Sequence, residues 1–89
     1  MDYRIELSKV ALRDLALLGD AVSKETIAKL RWFQASPDPM KFAKALSGQF
    51  RGLYRFRIGD YRAIFKKDAS GRLVVLLILR VKHRKEVYE

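Results

Sequence analysis

Residues 54–65, YRFRIGDYRAIF, decide the fold. Gly59-Asp60 stands between two alternating runs, and glycine at the first central position of a two-residue turn suits the type II′ geometry that closes a β-hairpin. Read as a hairpin, the stretch pairs Ile58 with Tyr61, Arg57 with Arg62, Phe56 with Ala63 and Arg55 with Ile64. Alternation then sends Tyr54, Phe56, Ile58, Tyr61, Ala63 and Phe65 to a core face, and Arg55, Arg57 and Arg62 to the opposite one. Like charges facing each other across a strand pair are destabilising. A fold that keeps such a row has a use for it, and arginine's planar, paired donors suit the gripping of phosphates.

Working outward, Asp68-Ala69-Ser70-Gly71 reads as a second turn, leading into a strand over residues 72–82. That strand is apolar on both sides, as a central strand should be. Near its end the outer face is expected to switch from Val74, Leu76 and Ile78 to Arg80 and Lys82. At the other end of the chain, Tyr3, Ile5 and Leu7 alternate with Arg4 and Glu6, which reads as a half-buried strand. Ser8 is placed to cap a helix carrying Ala11, Leu12, Leu15 and Leu18 at helical spacing. Gly19-Asp20 breaks it. A second helix starts at about Ser23, with Ile27, Leu30 and Phe33 on one stripe and Ala28 and Trp32 alongside. Ser36-Pro37-Asp38-Pro39 stops this helix, because proline cannot continue one. Residues 40–46 read as a short helical piece, and Ser47-Gly48 opens the loop into the sheet. The expected architecture is α+β in the order β-α-α-β-β-β, with two N-terminal helices on a mainly antiparallel four-stranded sheet. Residues 1–89 form one domain in this reading.

Composition narrows the chemistry. The chain has 89 residues and a net charge of +9, with no cysteine and one histidine. Disulfides and thiolate metal sites are therefore out of reach, neither metal nor cofactor is expected, and a cytoplasmic setting follows as the default. The start of the chain has no apolar signal-peptide core. The longest apolar run, residues 73–79, is too short to cross a membrane, so no membrane partner is expected. Residues 1–50 hold eight Lys/Arg against six Asp/Glu, whereas residues 51–89 hold eleven against four. The positive field is thus concentrated in the strands, as on a nucleic-acid-binding face.

If the last strand lies beside the hairpin, Arg55, Arg57, Arg62, Arg80 and Lys82 surround one shallow cavity. Such a cluster can hold an RNA backbone and stabilise the added negative charge of a pentacoordinate phosphorane. A ribonuclease without metal needs a group to take the 2′-OH proton, cations to neutralise the phosphate and a donor to the leaving 5′-oxygen. Its products are a 2′,3′-cyclic phosphate and a 5′-hydroxyl.

Three segments together, Leu46-Ser47-Gly48, residues 54–65 and the terminal VKHRKEVY (residues 81–88), resemble the RelE/ParE toxin superfamily, and most of all its RelE branch. The resemblance covers nearly the whole chain. It implies a type II toxin that enters the 30S A site of the ribosome and cuts mRNA there. It also implies a cognate antitoxin, through which the complex binds operator DNA. On this resemblance Arg62 matches the phosphate-stabilising arginine and Tyr88 the terminal tyrosine. Arg55 and Arg57 stand where RelE proper has lysines, one of them proposed as the base, and Lys82 where it has an arginine proposed as the acid. Arg84 matches another basic position near the RNA, and Arg80 joins the RNA-binding set. An arginine is a poor proton acceptor, so Arg57 does not inherit the role of a basic lysine. His83 and Tyr88 are then the proton-transfer candidates, since imidazole titrates near neutrality. Strict alternation, however, points His83 away from Lys82. Two alternatives remain open: a ParE-like inhibitor of DNA gyrase without nuclease activity, and an attenuated toxin that mainly binds its antitoxin.

Overall fold

A computed structural model describes residues 2–87. The chain runs β1 (Asp2–Leu7), α1 (Lys9–Leu18), α2 (Asp20–Ala35), β2 (Ala43–Ala45), β3 (Tyr54–Ile58), β4 (Tyr61–Ser70) and β5 (Leu73–His83). The strands form one five-stranded sheet in the order β1-β5-β4-β3-β2. Only β1 and β5 run parallel; the other pairings are antiparallel.

The α+β architecture agrees with expectation, but the sheet has five strands rather than four. The extra strand is β2, within the segment read as helical. Asp38 and Pro39 start a single 3-10 turn, Pro39–Phe42, with Asp38 Oδ1 accepting from the Met40 N–H at 3.2 Å. The chain then extends so that Ala43, Lys44 and Ala45 pair with Phe56, Arg55 and Tyr54. Sheet pairing overrides the modest helix preference of so short a segment.

Ser8 caps α1 as expected, its Oγ accepting from the Ala11 N–H at 3.0 Å. Gly19, at φ 94°, ends α1 and also begins α2, which therefore starts at Asp20 rather than near Ser23. Both helices cover one face of the sheet. Ala11, Leu15, Leu30 and Phe33 meet Phe56, Ile58, Ala63, Phe65, Val74, Leu76, Ile78 and Val81 there. A column of rings runs through this layer, with Phe33 on Phe56 and Phe56 on Phe65, each at 4.4 Å between centroids.

The hairpin register is the one expected, including Arg57 opposite Arg62. Gly59 takes φ 57° while Asp60 stays at negative φ, as a type II′ turn requires, and among the described residues no non-glycine residue has positive φ. The second turn is tighter than expected. β4 continues to Ser70, which pairs with Leu73 across Gly71-Arg72 alone.

The important departure lies in β5. Ile64 pairs with Arg80 and Phe65 with Ile78, leaving Leu79 as an extra residue in a β-bulge. Val74, Leu76 and Ile78 therefore face the helices, not the side of Arg80 and Lys82 as the unbroken alternation suggested. The bulge resets the alternation so that Arg80 and Lys82 emerge on the outer face. There a small second cluster, Leu46, Ile64 and Val87, is flanked by Phe50 and Leu53.

Candidate nucleic-acid interface

Two rows of side chains cross the outer face. Arg57 on β3, Arg62 on β4 and Lys82 on β5 are mutual register partners. In the adjacent row, Lys44 on β2, Arg55 on β3, Ile64 on β4 and Arg80 on β5 lie side by side. Strands about 4.8 Å apart bring three cations within roughly 10 Å of one another in the first row.

The three differ in how they are held. Arg57 is exposed. Arg62 is 6% exposed, and its Nη1 donates to the carbonyls of Gly59 at 3.0 Å and Tyr61 at 2.9 Å. Those bonds fix the guanidinium plane before any ligand arrives. Lys82 is half-buried, with Nζ 3.4 Å from Glu86 Oε2. Carbonyl dipoles at Arg62 and a carboxylate at Lys82 offset the repulsion that a row of like charges creates.

Arg80 has a different surrounding. β1 stops pairing at Leu7 and Ile78, so the rest of β5 presents a bare edge, which α1 covers with two side chains. Ser8 Oγ donates to the Leu79 carbonyl at 3.1 Å, and Asp14 Oδ2 accepts the Val81 N–H at 2.9 Å. The same carboxylate takes two hydrogen bonds from Arg80, Nε to Oδ2 at 2.9 Å and Nη2 to Oδ1 at 3.1 Å. Burial disfavours the charged form of Asp14, but the bonds from Arg80 and Val81 and the charges of Arg80 and Lys82 outweigh it. Its carboxyl is held below the usual range. The bond to Asp14 in turn raises the Arg80 guanidinium further. Arg80 thus clamps α1 to the bulge, within a row otherwise suited to a ligand.

His83 is not brought to the row. It pairs with Tyr61, sets its ring edge-on to that tyrosine at 5.4 Å, and stands on the helix-facing side of the strand. Its Nδ1 accepts the Lys85 N–H at 3.2 Å, so in the neutral ring the proton sits on Nε2. Arg84 steadies the hairpin tip instead. Its N–H reaches the Asp60 carbonyl at 2.8 Å, and its Nε lies 3.8 Å from Asp60 Oδ1. Tyr88 lies outside the described residues.

Sequence reasoning passed over two residues. Lys44 was hidden by reading its strand as a helix, since only its pairing with Arg55 shows it on the outer face. Asp14 sat in plain view at helical spacing from Ala11 and Leu18, where an acid beside an apolar stripe needs a partner. Among the described residues no three His, Asp or Glu side chains converge as metal ligands, and no helix is long and apolar enough to cross a membrane.

Fold and face together define a class: a small α+β protein whose sheet carries an open cationic surface opposite its helices. The family described as ParE toxin of type II toxin–antitoxin system, parDE, matches residues 5–88. Toxin RelG of Mycobacterium tuberculosis (strain ATCC 25618 / H37Rv) is 30% identical over 88 residues, covering 99% of this chain and 98% of that protein. Among solved structures, the RelBE2 toxin–antitoxin complex of M. tuberculosis superposes with a TM-score of 0.70 at 27% identity, over 94% of this chain and 100% of that one. The archaeal RelE–RelB complex of Pyrococcus horikoshii OT3 gives 0.64 at 29%, over 94% and 97%. The chain belongs to the RelE/ParE superfamily of type II toxin–antitoxin toxins.

Proposed function

We propose that this toxin is a ribosome-dependent endoribonuclease that cuts mRNA in the 30S A site, and that a cognate antitoxin neutralises it and carries the complex to operator DNA. The observation that carries the reading is the register row Arg57–Arg62–Lys82 on the open face of the sheet, with Arg62 pre-oriented by two carbonyls. The 2′-oxygen attacks phosphorus, the P–O5′ bond breaks, and a 2′,3′-cyclic phosphate and 5′-hydroxyl result. Arg62 and Arg57 neutralise the charge that grows on the phosphoryl oxygens. The Lys82 ammonium protonates the departing 5′-oxygen. Arg55 and Lys44 hold flanking phosphates, Arg84 adds positive charge beside them while steadying the hairpin tip, and Arg80 contributes chiefly by fixing the strand.

The 2′-OH proton is the step with the fewest candidates. Arg57 stays charged, and His83 faces the other way. Tyr88 then carries the assignment, with the ribosome aligning the ribose for in-line attack. The RelE likeness of the relatives named above favours this reading over one in which the cationic face serves only to bind the antitoxin.

A second reading rests on the matched family's own description, which names ParE. A ParE-like member would poison DNA gyrase by binding and leave RNA intact. Induced expression followed by sequencing of message 5′ ends separates the two, comparing the native chain with Arg62→Ala. Codon-linked cuts in translated message, lost in the variant, are expected. DNA breaks alongside intact message would instead make the toxin gyrase-directed.

A further inference from the structure

On the side of the sheet away from the basic row, α2 and the hairpin tip leave a surface that cleavage does not use. Trp32 is the only tryptophan in the chain and is 53% exposed. It forms the shared wall of two adjoining grooves. One, of about 490 Å³, also includes Lys29, Ile58 and Gly59; the other, of about 340 Å³, includes Pro37, Lys41 and Phe42. A bulky side chain entering either groove would meet apolar walls with a lysine beside them, and in the larger groove Glu25 stands there as well.

The chemistry selects the occupant. The indole already holds the Lys29 ammonium over its ring at 4.3 Å and Phe42 against it at 5.0 Å. The Lys29 ammonium covers one ring face on which a nucleic-acid base would stack. Lys29 and Lys41, one in each groove, attract carboxylates on both sides of the ring, on a chain whose net charge is +9. An acidic polypeptide with an apolar anchor fits this pattern, and a nucleic acid fits it less well.

The groove also reaches the basic row. Gly59 lines it, and the Gly59 carbonyl is one of the two acceptors that orient Arg62. The turn lies close to α2: a Cβ on Gly59 would stand 3.3 Å from Glu25 Oε1. A side chain wedged between α2 and this turn therefore presses on the peptide that holds Arg62.

We propose that an acidic segment of the cognate antitoxin seats a bulky apolar side chain against Trp32, between Lys29 and Lys41, and so acts on Arg62 through Gly59 from the opposite side of the sheet. This rests on the toxin reading above, and specifically on the existence of the antitoxin. The test uses toxin labelled with 5-fluorotryptophan, which gives one ¹⁹F resonance, titrated with unlabelled antitoxin while gel filtration reports complex formation. The resonance is expected to shift and lose its sensitivity to exchange of H2O for D2O. Trp32→Ala should weaken binding by at least about 30-fold. Lys29→Glu, which keeps the ring, should weaken it several-fold and flatten its salt dependence. A complex that forms with an unmoved, still solvent-sensitive resonance overturns the docking and leaves the toxin reading standing. No complex at all overturns the antitoxin reading and the docking with it. A resonance moved by a mixed-sequence RNA 12-mer or by toxin concentration alone, and not by antitoxin, assigns the groove to RNA or to a second copy and overturns the proposal.

Discussion

The two halves of β5 differ in almost every respect although one chain direction runs through both. Residues 73–78 lie between β1 and β4, bonded on both edges, and bury Val74, Leu76 and Ile78 under the helices. Residues 80–83 keep β4 as a strand partner but have α1 side chains along the other edge, and they present Arg80 and Lys82 outward. The first half is a piece of core. The second is a platform for charge. A single extra residue, Leu79, separates them. A strand can thus change from core to charged surface within one residue, provided that side chains replace the lost backbone partner.

The contrast can be broken at either end. Leu76 is fully buried, so Leu76→Ala should cost about 3–4 kcal/mol, a large fraction of the stability of so small a protein. Chemical denaturation checks this; a loss below about 1 kcal/mol would mean that the first half is not the core it appears. Arg62→Ala should act on rate rather than on folding. On the proposed nuclease reading, losing the Arg62 donor costs on the order of 3 kcal/mol of transition-state stabilisation, about a hundredfold in cleavage. Message-end sequencing and growth curves report it, and circular dichroism should show the fold retained.

The α1 clamp gives a smaller effect. Asp14→Ala leaves the Val81 N–H and the Arg80 guanidinium without their acceptor, at a cost of about 2 kcal/mol. The pH dependence has a definite sign. Because the folded protein holds the Asp14 carboxyl below its ordinary value of 3.8, its contribution is present above that value and fades as pH falls through the lower, folded one. Wild type should lose part of its advantage over Asp14→Ala below about pH 4. An advantage unchanged between pH 7 and pH 3 would remove the ion pair from the account.

The smallest expected change sharpens the contrast from the apolar side. Thr26 on α2 is buried, and its Oγ1 has no hydrogen-bond partner. Thr26→Val removes an unsatisfied hydroxyl while keeping the branched shape, and should raise stability by about 1 kcal/mol. A loss of stability on thermal melting would show that the hydroxyl does find a partner in solution.

The hairpin could be read residue by residue because two local signals agree there. Gly59 supplies the positive φ that the turn needs, and alternation on either side then fixes which arginines share a face. The Ser8 cap and the Gly19 break are local for the same reason. What escaped the sequence depends on non-local partners. β2 is a strand only because β3 offers it an edge, and Lys44 joins the basic face only through that pairing. Trp32, alongside the apolar stripe of α2, packs on Phe33 and Phe42 yet stands half open, which the stripe by itself does not show.

Sequence alone therefore determined the hairpin, its register and the arginine row, since turn chemistry and period-two alternation act between neighbours. Tertiary structure decided that Val74, Leu76 and Ile78 face the helices while Arg80 and Lys82 still face outward, and that Arg80 is clamped to Asp14. A bulge depends on what lies beside the strand, and here it is held where β1 ends and α1 brings Ser8 and Asp14 to the exposed edge. No pattern within β5 encodes that meeting, because it depends on residues some seventy positions away in the chain.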